Sequence, residues 1–591
     1  MARDGPIACA EPMAFNPHSD QHLSRLQESL VSSRDEMETA RKHRLRSYKE
    51  LVGKNYSDGG TGTARPLNQI ELASTIYKQS LISISPRGLV TPRHSSLTPE
   101  AASFEAALNT VLSDDGISGE LETAVAEAMF SPLGKVKISL DLQDAVDIDG
   151  TQIWTGPPRI KAVTFDNQVV DMSAGGPHSV SYEGDRYYVD YEWAMNSGIY
   201  DPDLLAKLKP AGEQRQDQYD SRNVTREKSF YEDYRDLVEV WDVWMPDDGL
   251  LLTYGPGFEN KQPLRTTEWD GPASGPYQKF WFGMVPGNSL PLPPVALWLD
   301  LNEMANRLWN KLGRQADRQK VNGAVESSDA ADGVKLRDAK DGDYLTLNRL
   351  GNFQEIRAGG IDNLNFAFVL QVLREFSRQA GNLDSLGGLA PMSGTLGQDK
   401  LLSEGASQRL GQMQARVRDW LRRVFRTLGG YMWQNALLDV AYTRQTDHGP
   451  VSGTWNQQSM TGEFPDYLID IDPYSLQDRS PTERLMQLTS FWQNDVLPTA
   501  PFLAAAGYAP DFANYVRLCA KYMDLPELPS LLMQIQPGQP LEAPAPGGKP
   551  SITTRQVVRN NRSLKTRDGE LDTMVQSLLS GGNSMNPVGA E

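Results

Sequence analysis

The chain has 591 residues and a formal charge of −18, with 39% hydrophobic and 23% charged residues. That balance suits ordinary globular domains, offers no apolar run near the roughly 18 residues of a membrane helix, and argues against a broad basic face that grips nucleic acid. Two distant cysteines, Cys9 and Cys519, argue against a disulfide framework, and six scattered histidines give a His-based metal site no support.

Length allows three or four domain-sized units. Residues 1–15 have no basic flank followed by an apolar core, so no secretion signal is expected, and the cysteine usage fits a reducing cytoplasm. Residues 1–20 read as unstructured. A helix is predicted over 22–52, with Leu23, Leu26, Leu30 and Met37 on one side. Residues 56–64, rich in Gly, Ser, Thr and Asp, read as a loop. Helical patterns return over 67–83 and 99–130, with Thr98 as the cap and Pro99 at the first position.

From Gly134 the period changes to two. Residues 136–140, 160–165, 187–191, 239–244, 250–254 and 279–282 read as strands of a mixed or antiparallel sheet. Residues 202–232 are strongly charged and read as helix or surface excursion. The first 290 residues are thus an α+β body with inserted helices.

The organising stretch is 291–438. Pro291-Leu292-Pro293-Pro294 precedes a helix whose Leu297, Leu301, Met304, Leu308 and Leu312 recur at steps of 4, 3, 4 and 4. A second helix, capped by Asp362 or Asn363 and stopped by Gly381, carries Phe366, Val369, Leu370, Leu373 and Phe376. A third begins near Asp399 and keeps the helical step from Leu410 to Tyr431. At about 1.5 Å per residue it would span nearly 60 Å, with a bend expected at Gly429-Gly430. Between the first two helices, 329–339 reads as a short helix, and 344–347 and 353–356 read as two strands joined at Leu350-Gly351-Asn352. This insertion is too small to bury its own core. After the long helix come loop and strand over 454–472. Helices opened by Ser480-Pro481-Thr482-Glu483 then run to about 532, with breaks expected at Pro498, Pro501, Pro510, Pro526 and Pro529. From Gln536 the chain turns Pro- and Gly-rich, with a last short helix over 568–579.

Several chemistries lack their residues. Gly548-Lys549 is followed by proline and has no earlier glycine, so no phosphate-cradling loop or ATP motor is expected. Asp147-x-Asp149-Gly150 sits where a calcium loop would have Ala145 and Gly156 as anchors, so both anchoring carboxylates are missing. No nucleophile elbow, zinc-protease or Cys-His pattern occurs. Acids and aromatics mix over 182–200, as in a glycosidase cleft, but strands with acids outward and aromatics inward are the simpler expectation. Two stretches ask for a role. The uncharged loop 386–398 holds four glycines; it reads as a plain linker or as a mobile loop touching a passing ligand. The tail 549–567 holds Lys549, Arg555, Arg559, Arg562, Lys565 and Arg567 and no acid; it reads as a solubilising tail or as a contact for phosphates or an acidic partner.

The order of parts resembles the portal proteins, or head-to-tail connectors, of tailed bacteriophages, most closely the short-tailed type. The likeness is carried by Gly271-Pro272-Ala273-Ser274-Gly275-Pro276-Tyr277, Val285-Pro286-Gly287-Asn288 and Leu290-Pro291-Leu292-Pro293-Pro294. Val321-Asn322-Gly323 through Lys340-Asp341-Gly342-Asp343-Tyr344, then 366–378 and 400–426, continue it. No single motif is specific; the ordered set is, over about 250–440, and the rest matches by layout.

The resemblance implies a helix-rich α+β portal fold in a dodecameric ring around a DNA channel. It implies a flexible 1–20, a wing over 21–295, stem helices 296–320 and 361–384, and a clip over 321–360. It further implies a tunnel loop 385–399, a wing helix and β return 400–477, a crown 478–536 and a flexible tail 537–591. Tunnel-loop residues facing DNA would be Leu386, Gly387, Gly388, Met392, Ser393, Thr395, Gln398 and Lys400. Lys311, Arg314, Arg374 and Arg378 on the stem would touch phosphates briefly or form helix salt bridges. Asp338, Lys340, Asp343, Tyr344 and Arg349 in the clip would meet the terminase large subunit and the tail adaptor. Major capsid and scaffolding proteins would be further partners, with no membrane, cofactor, metal or catalysis. The protein would assemble in the host cytoplasm and reside at one capsid vertex of the virion. An acidic wall would repel a passing duplex and keep it centred. The alternatives are a large cytoplasmic hydrolase-like enzyme or another virion structural protein.

Overall fold

The computed structural model describes residues 15–53, 66–82, 86–113, 116–140, 145–148, 151–154, 156–208, 236–325, 330–338, 353–358, 360–386, 396–435, 437–446, 449–471, 481–500 and 512–523. It divides into two units, Met1–Asp478 and Arg479–Glu591.

The first unit opens with α1 (Asp20–Val52) and α2 (Gln69–Leu81), then β1 (Gly88–Pro92), α3 (Thr98–Leu112) and α4 (Ile117–Phe130). The apolar side expected on α1 is the one that packs: Leu23, Leu26, Leu30 and Met37 are all buried. The helix expected over 99–130 is two helices, broken between Leu112 and Ile117. Thr98 is not the cap. Leu97 occupies that place, and Thr98 donates its hydroxyl to the Ser95 carbonyl instead.

Strands follow: β2 (Gly134–Ser139), β3 (Ala145–Ile148), β4 (Thr151–Trp154), β5 (Arg159–Val163), β6 (Gln168–Val170) and β7 (Glu183–Asp190). The short helices α5 (Tyr191–Asn196) and α6 (Pro202–Leu205) precede β8 (Leu237–Met245), β9 (Leu250–Tyr254), β10 (Arg265–Glu268) and β11 (Tyr277–Phe280). The stretch weighed as a calcium loop forms a two-stranded hairpin of β3 and β4. All pairings are antiparallel, in a five-stranded sheet ordered β10-β9-β8-β7-β6 and a three-stranded sheet ordered β11-β2-β5.

The organising stretch gives α7 (Pro294–Asp317), β12 (Lys320–Val325), α8 (Ala330–Asp338), β13 (Phe353–Ala358), α9 (Asn363–Gln379), α10 (Leu383–Leu386) and α11 (Leu396–Gln434). Then come β14 (Val440–Thr446), β15 (Gly449–Trp455) and β16 (Tyr467–Ile471). At 39 residues and about 1.5 Å each, α11 spans close to 60 Å. It is helical through Gly429-Gly430, where a bend was expected. The pair is there for close packing: a Cβ on Gly429 would lie 2.6 Å from Ile469 Cδ1, and one on Gly430 would lie 3.2 Å from Pro272 Cγ. Val417, Trp420, Leu421, Val424, Phe425 and Leu428 of α11 sit in the main core with α2, α3, α4 and the three-stranded sheet.

The two sheets face each other across buried charge. Lys135 reaches Glu183 at 3.0 Å, and Lys137 holds both Asp185 at 2.7 Å and Asp242 at 2.8 Å. The acids of β7 were expected to point outward. Glu183 and Asp185 point inward, because the facing strands β2 and β11 supply Lys135, Lys137 and Lys279 to neutralise them. A second buried cluster ties α1 to the body: Arg44 contacts Glu127 at 2.6 Å and Asp166 at 2.6 Å.

In the second unit α12 (Pro481–Phe491) continues through a wide turn, Trp492–Val496, into helical residues 497–500, and α13 (Phe512–Met523) follows. The break expected at Pro498 is absent; that residue lies inside the helical run, just after the wide turn, where its missing N–H is accommodated. Trp492 stacks on Tyr515 at 4.2 Å. Ser480, the prolines at 501, 510, 526 and 529, the 568–579 helix and the basic tail 549–567 lie outside the described residues.

Candidate functional site

The candidate site is the hairpin of α7 and α9 with the β12–β13 ribbon at its far end. Pro293, in extended conformation, and Pro294 at the first helical position start α7. Its root is anchored by Val295, Trp298, Leu299, Asn302, Ala305 and Asn306, all buried. The two asparagines serve the start of α2. Asn306 accepts from Leu67 N at 3.0 Å and donates to Leu67 O at 2.9 Å, while Asn302 accepts from Gln69 N at 3.2 Å. The aromatic stack Tyr77–Trp298–Phe376 carries the anchor across to α9.

Sequence periodicity selected a different face of α7. Of Leu297, Leu301, Met304, Leu308 and Leu312, only Leu312 is buried, and Leu297 is 51% exposed. The leucine stripe is real as a pattern, but the chain covers it only in part: Leu301 packs on the main core, Met304 and Leu308 are half-buried, and Leu297 is open.

Helix α9 is capped as expected: the Asp362 carboxylate accepts from Leu364 N at 3.0 Å. Gly381 stops it at φ 91°, a region closed to most L side chains, and a Cβ there would lie 2.5 Å from the Tyr77 hydroxyl. That hydroxyl donates to the Ala380 carbonyl at 2.6 Å. Gly381→Ala should therefore cost about 1–3 kcal/mol through strain and collision, read as a lower thermal unfolding midpoint. Only Val369, Val372 and Phe376 of α9 are buried. Leu364, Phe366, Phe368 and Leu370 are 81%, 41%, 50% and 42% exposed. They lie on both flanks of the buried stripe, so the first half of α9 is apolar nearly all round. Such a helix belongs in an interior; here it lies in water.

The cations follow the same hairpin. Lys311, Arg314, Arg374 and Arg378 are all exposed, and Arg378 alone has an ion pair among the described residues, with Glu375 at 3.7 Å. The ribbon pairs Lys320↔Ala358 through Val325↔Phe353. The strand expected at 353–356 is present and pairs with β12; the second expected strand, 344–347, lies outside the described residues. Asp338 ends α8, exposed and bonded by Arg337 at 2.7 Å. Lys340, Asp343, Tyr344 and Arg349 lie outside the described residues. So do Gly387, Gly388, Met392, Ser393 and Thr395 of the expected tunnel loop. Leu386 ends α10, half-buried and packed on the main core, and Gln398 and Lys400 fall in the first turns of α11. Residues 385–386 and 396–399 are thus helical where loop was expected.

Of the acids in the 182–200 stretch, Glu183 and Asp185 are held by cations, as is Asp242 of the neighbouring strand β8. Burial alone would push the Asp242 carboxyl up; Lys137 and Arg265 outweigh it and hold the group below its usual range. Glu183 is likewise held low against burial by Lys135 and Lys279. Saturated by cations inside a sheet-to-sheet contact, neither is placed to move a proton. Among the described residues no cluster of His, Cys, Asp and Glu could hold a metal ion, and no helix is long and apolar enough to cross a membrane. No family model matches the chain, and no curated protein matches its sequence.

Proposed function

We propose that the chain is a subunit of a portal ring, in which the α7–α9 hairpins of many copies stand side by side as the wall of a channel for double-stranded DNA. The observation that supports this is the uncovered apolar surface of α9, continued on α7 by the exposed Leu297 and Trp309. Copies of the same hairpin, set around an axis, would cover it. The ribbon fits the same reading: an insertion of this size, with two short strands and one short helix among the described residues, is marginal alone and would gain from packing beside other copies.

In this reading the ring is a homo-dodecamer at one vertex of a phage capsid, where it serves genome packaging, retention and ejection. The ribbon end would dock the terminase large subunit and later the tail adaptor, and the body would contact major capsid and scaffolding proteins. DNA contact would be transient. The chain is acidic, so the wall as a whole would repel a duplex, and Lys311, Arg314, Arg374 and Arg378 of each copy would touch phosphates only in passing. The alternatives are a large hydrolase-like enzyme, which Glu183 and Asp185 serve poorly because cations hold them, or another virion structural protein.

Deleting residues 387–395 should leave assembled rings intact and reduce DNA packaging or retention several-fold. Rings that fail to form would make the segment structural. Rings that package normally would remove its role at the DNA.

A further inference from the structure

The solvent side of α11 between Gln408 and Arg426 carries six arginines, at 409, 416, 418, 422, 423 and 426, and one acid, Asp419. Some are committed locally. Arg409 donates to the Gln379 carbonyl, Arg422 to Asp470, and Arg423 to the Lys279 carbonyl at 3.1 Å through one guanidinium nitrogen. Arg416 and Arg426 are exposed and have no ion pair among the described residues.

The opposite charge stands on α1. Glu28, Asp35 and Glu38 are exposed and unpaired among the described residues, on a face without an exposed cation between them. The spacings agree. Glu28, Asp35 and Glu38 stand at i, i+7 and i+10, and so do Arg416, Arg423 and Arg426. Ten residues span about 15 Å on either helix, and these offsets keep each set on one face. In a parallel register each carboxylate meets one guanidinium, and Asp419 falls opposite the uncharged Val31.

We propose that the arginine face of α11 docks on the acidic face of α1 in the neighbouring copy, as one seam of the ring. This rests on the ring reading. A closed ring is built from heterologous contacts, each subunit giving a different patch on either side, and two unlike, matching faces on one chain meet that need. The argument for a second copy over nucleic acid is the one-to-one match of charge and offset; the seam should set register and partner choice.

The test uses the full chain in three variants. R416E/R423E/R426E and E28R/D35R/E38R should each raise the concentration at which rings form by about tenfold or more, and the six-fold combination should restore it. Parent rings should also need higher concentration as salt rises. Glu38→Cys with Arg426→Cys, in a chain with Cys9→Ser and Cys519→Ser, should give a ladder of linked copies on a non-reducing gel. This arm stands even where a triple variant misfolds. Parent rings with unchanged triple variants, or a gel showing monomer alone, would overturn the seam and leave the ring reading in place. A parent that never forms rings would instead overturn the ring reading itself. Loss of DNA binding by the arginine variant with unchanged rings would assign the face to nucleic acid and refute the seam.

Discussion

Replacing Phe366, Phe368 and Leu370 together with serine should turn rings into folded monomers. Each side chain is about half exposed in the single chain, so covering it against a neighbour stabilises by about 1 kcal/mol. Losing three such contributions raises the association midpoint by roughly a hundredfold, since about 1.4 kcal/mol is a factor of ten. Folding of the chain should barely change, because its own core uses Val369, Val372 and Phe376 of that helix instead. Phe376→Ala is the contrast: fully buried against Trp298, it should cost about 3–5 kcal/mol of stability whether or not rings form. Sedimentation separates the two effects from circular dichroism melting. Rings from the serine variant at the parent's concentration would show that this surface is not an interface.

Lys137→Met should cost about 3–5 kcal/mol, because it leaves Asp185 and Asp242 buried with fewer compensating charges. Its pH dependence has a fixed sign. Asp242 is held below its usual carboxylate range, so its contribution is present above about pH 4 and lost as pH falls through the lowered value. Lys137 is held above its usual range, burial notwithstanding, by Asp185 and Asp242, so its contribution is present below about pH 10 and lost only above it. The parent should therefore show a broad plateau between these limits. The variant gains from protonation of the stranded carboxylates, so the gap between variant and parent should narrow as pH falls from 7 to 4. A constant gap would mean that the two carboxylates find other partners.

The sequence signals that proved informative were local. Pro294, Asp362 and Gly381 mark the ends of α7 and α9 because each acts through its own backbone or side chain. Strands rich in Val, Trp and Tyr were visible for the same reason. Pairing was not, since it is decided at long range: β12 closes on β13 across 27 intervening residues, a pairing that no local turn signal marks. Strand β1 carries glycine and proline at its ends and little alternation, so only its partner β16 reveals it.

The face of α7 was misjudged for an instructive reason. Asn302 and Asn306 lie outside the leucine pattern, yet both are buried because they bind the backbone that opens α2. The leucine stripe is left half-covered, with Leu297 open to water, and that partial exposure fits assembly with other copies.

The most direct measurement is the mass and shape of the full-length protein in solution, by light scattering and electron microscopy of the same sample. The account predicts closed rings with a central hole wide enough for a double helix, at an integral multiple of 65.6 kDa. A 65.6 kDa monomer persisting at every concentration, without rings, would contradict it.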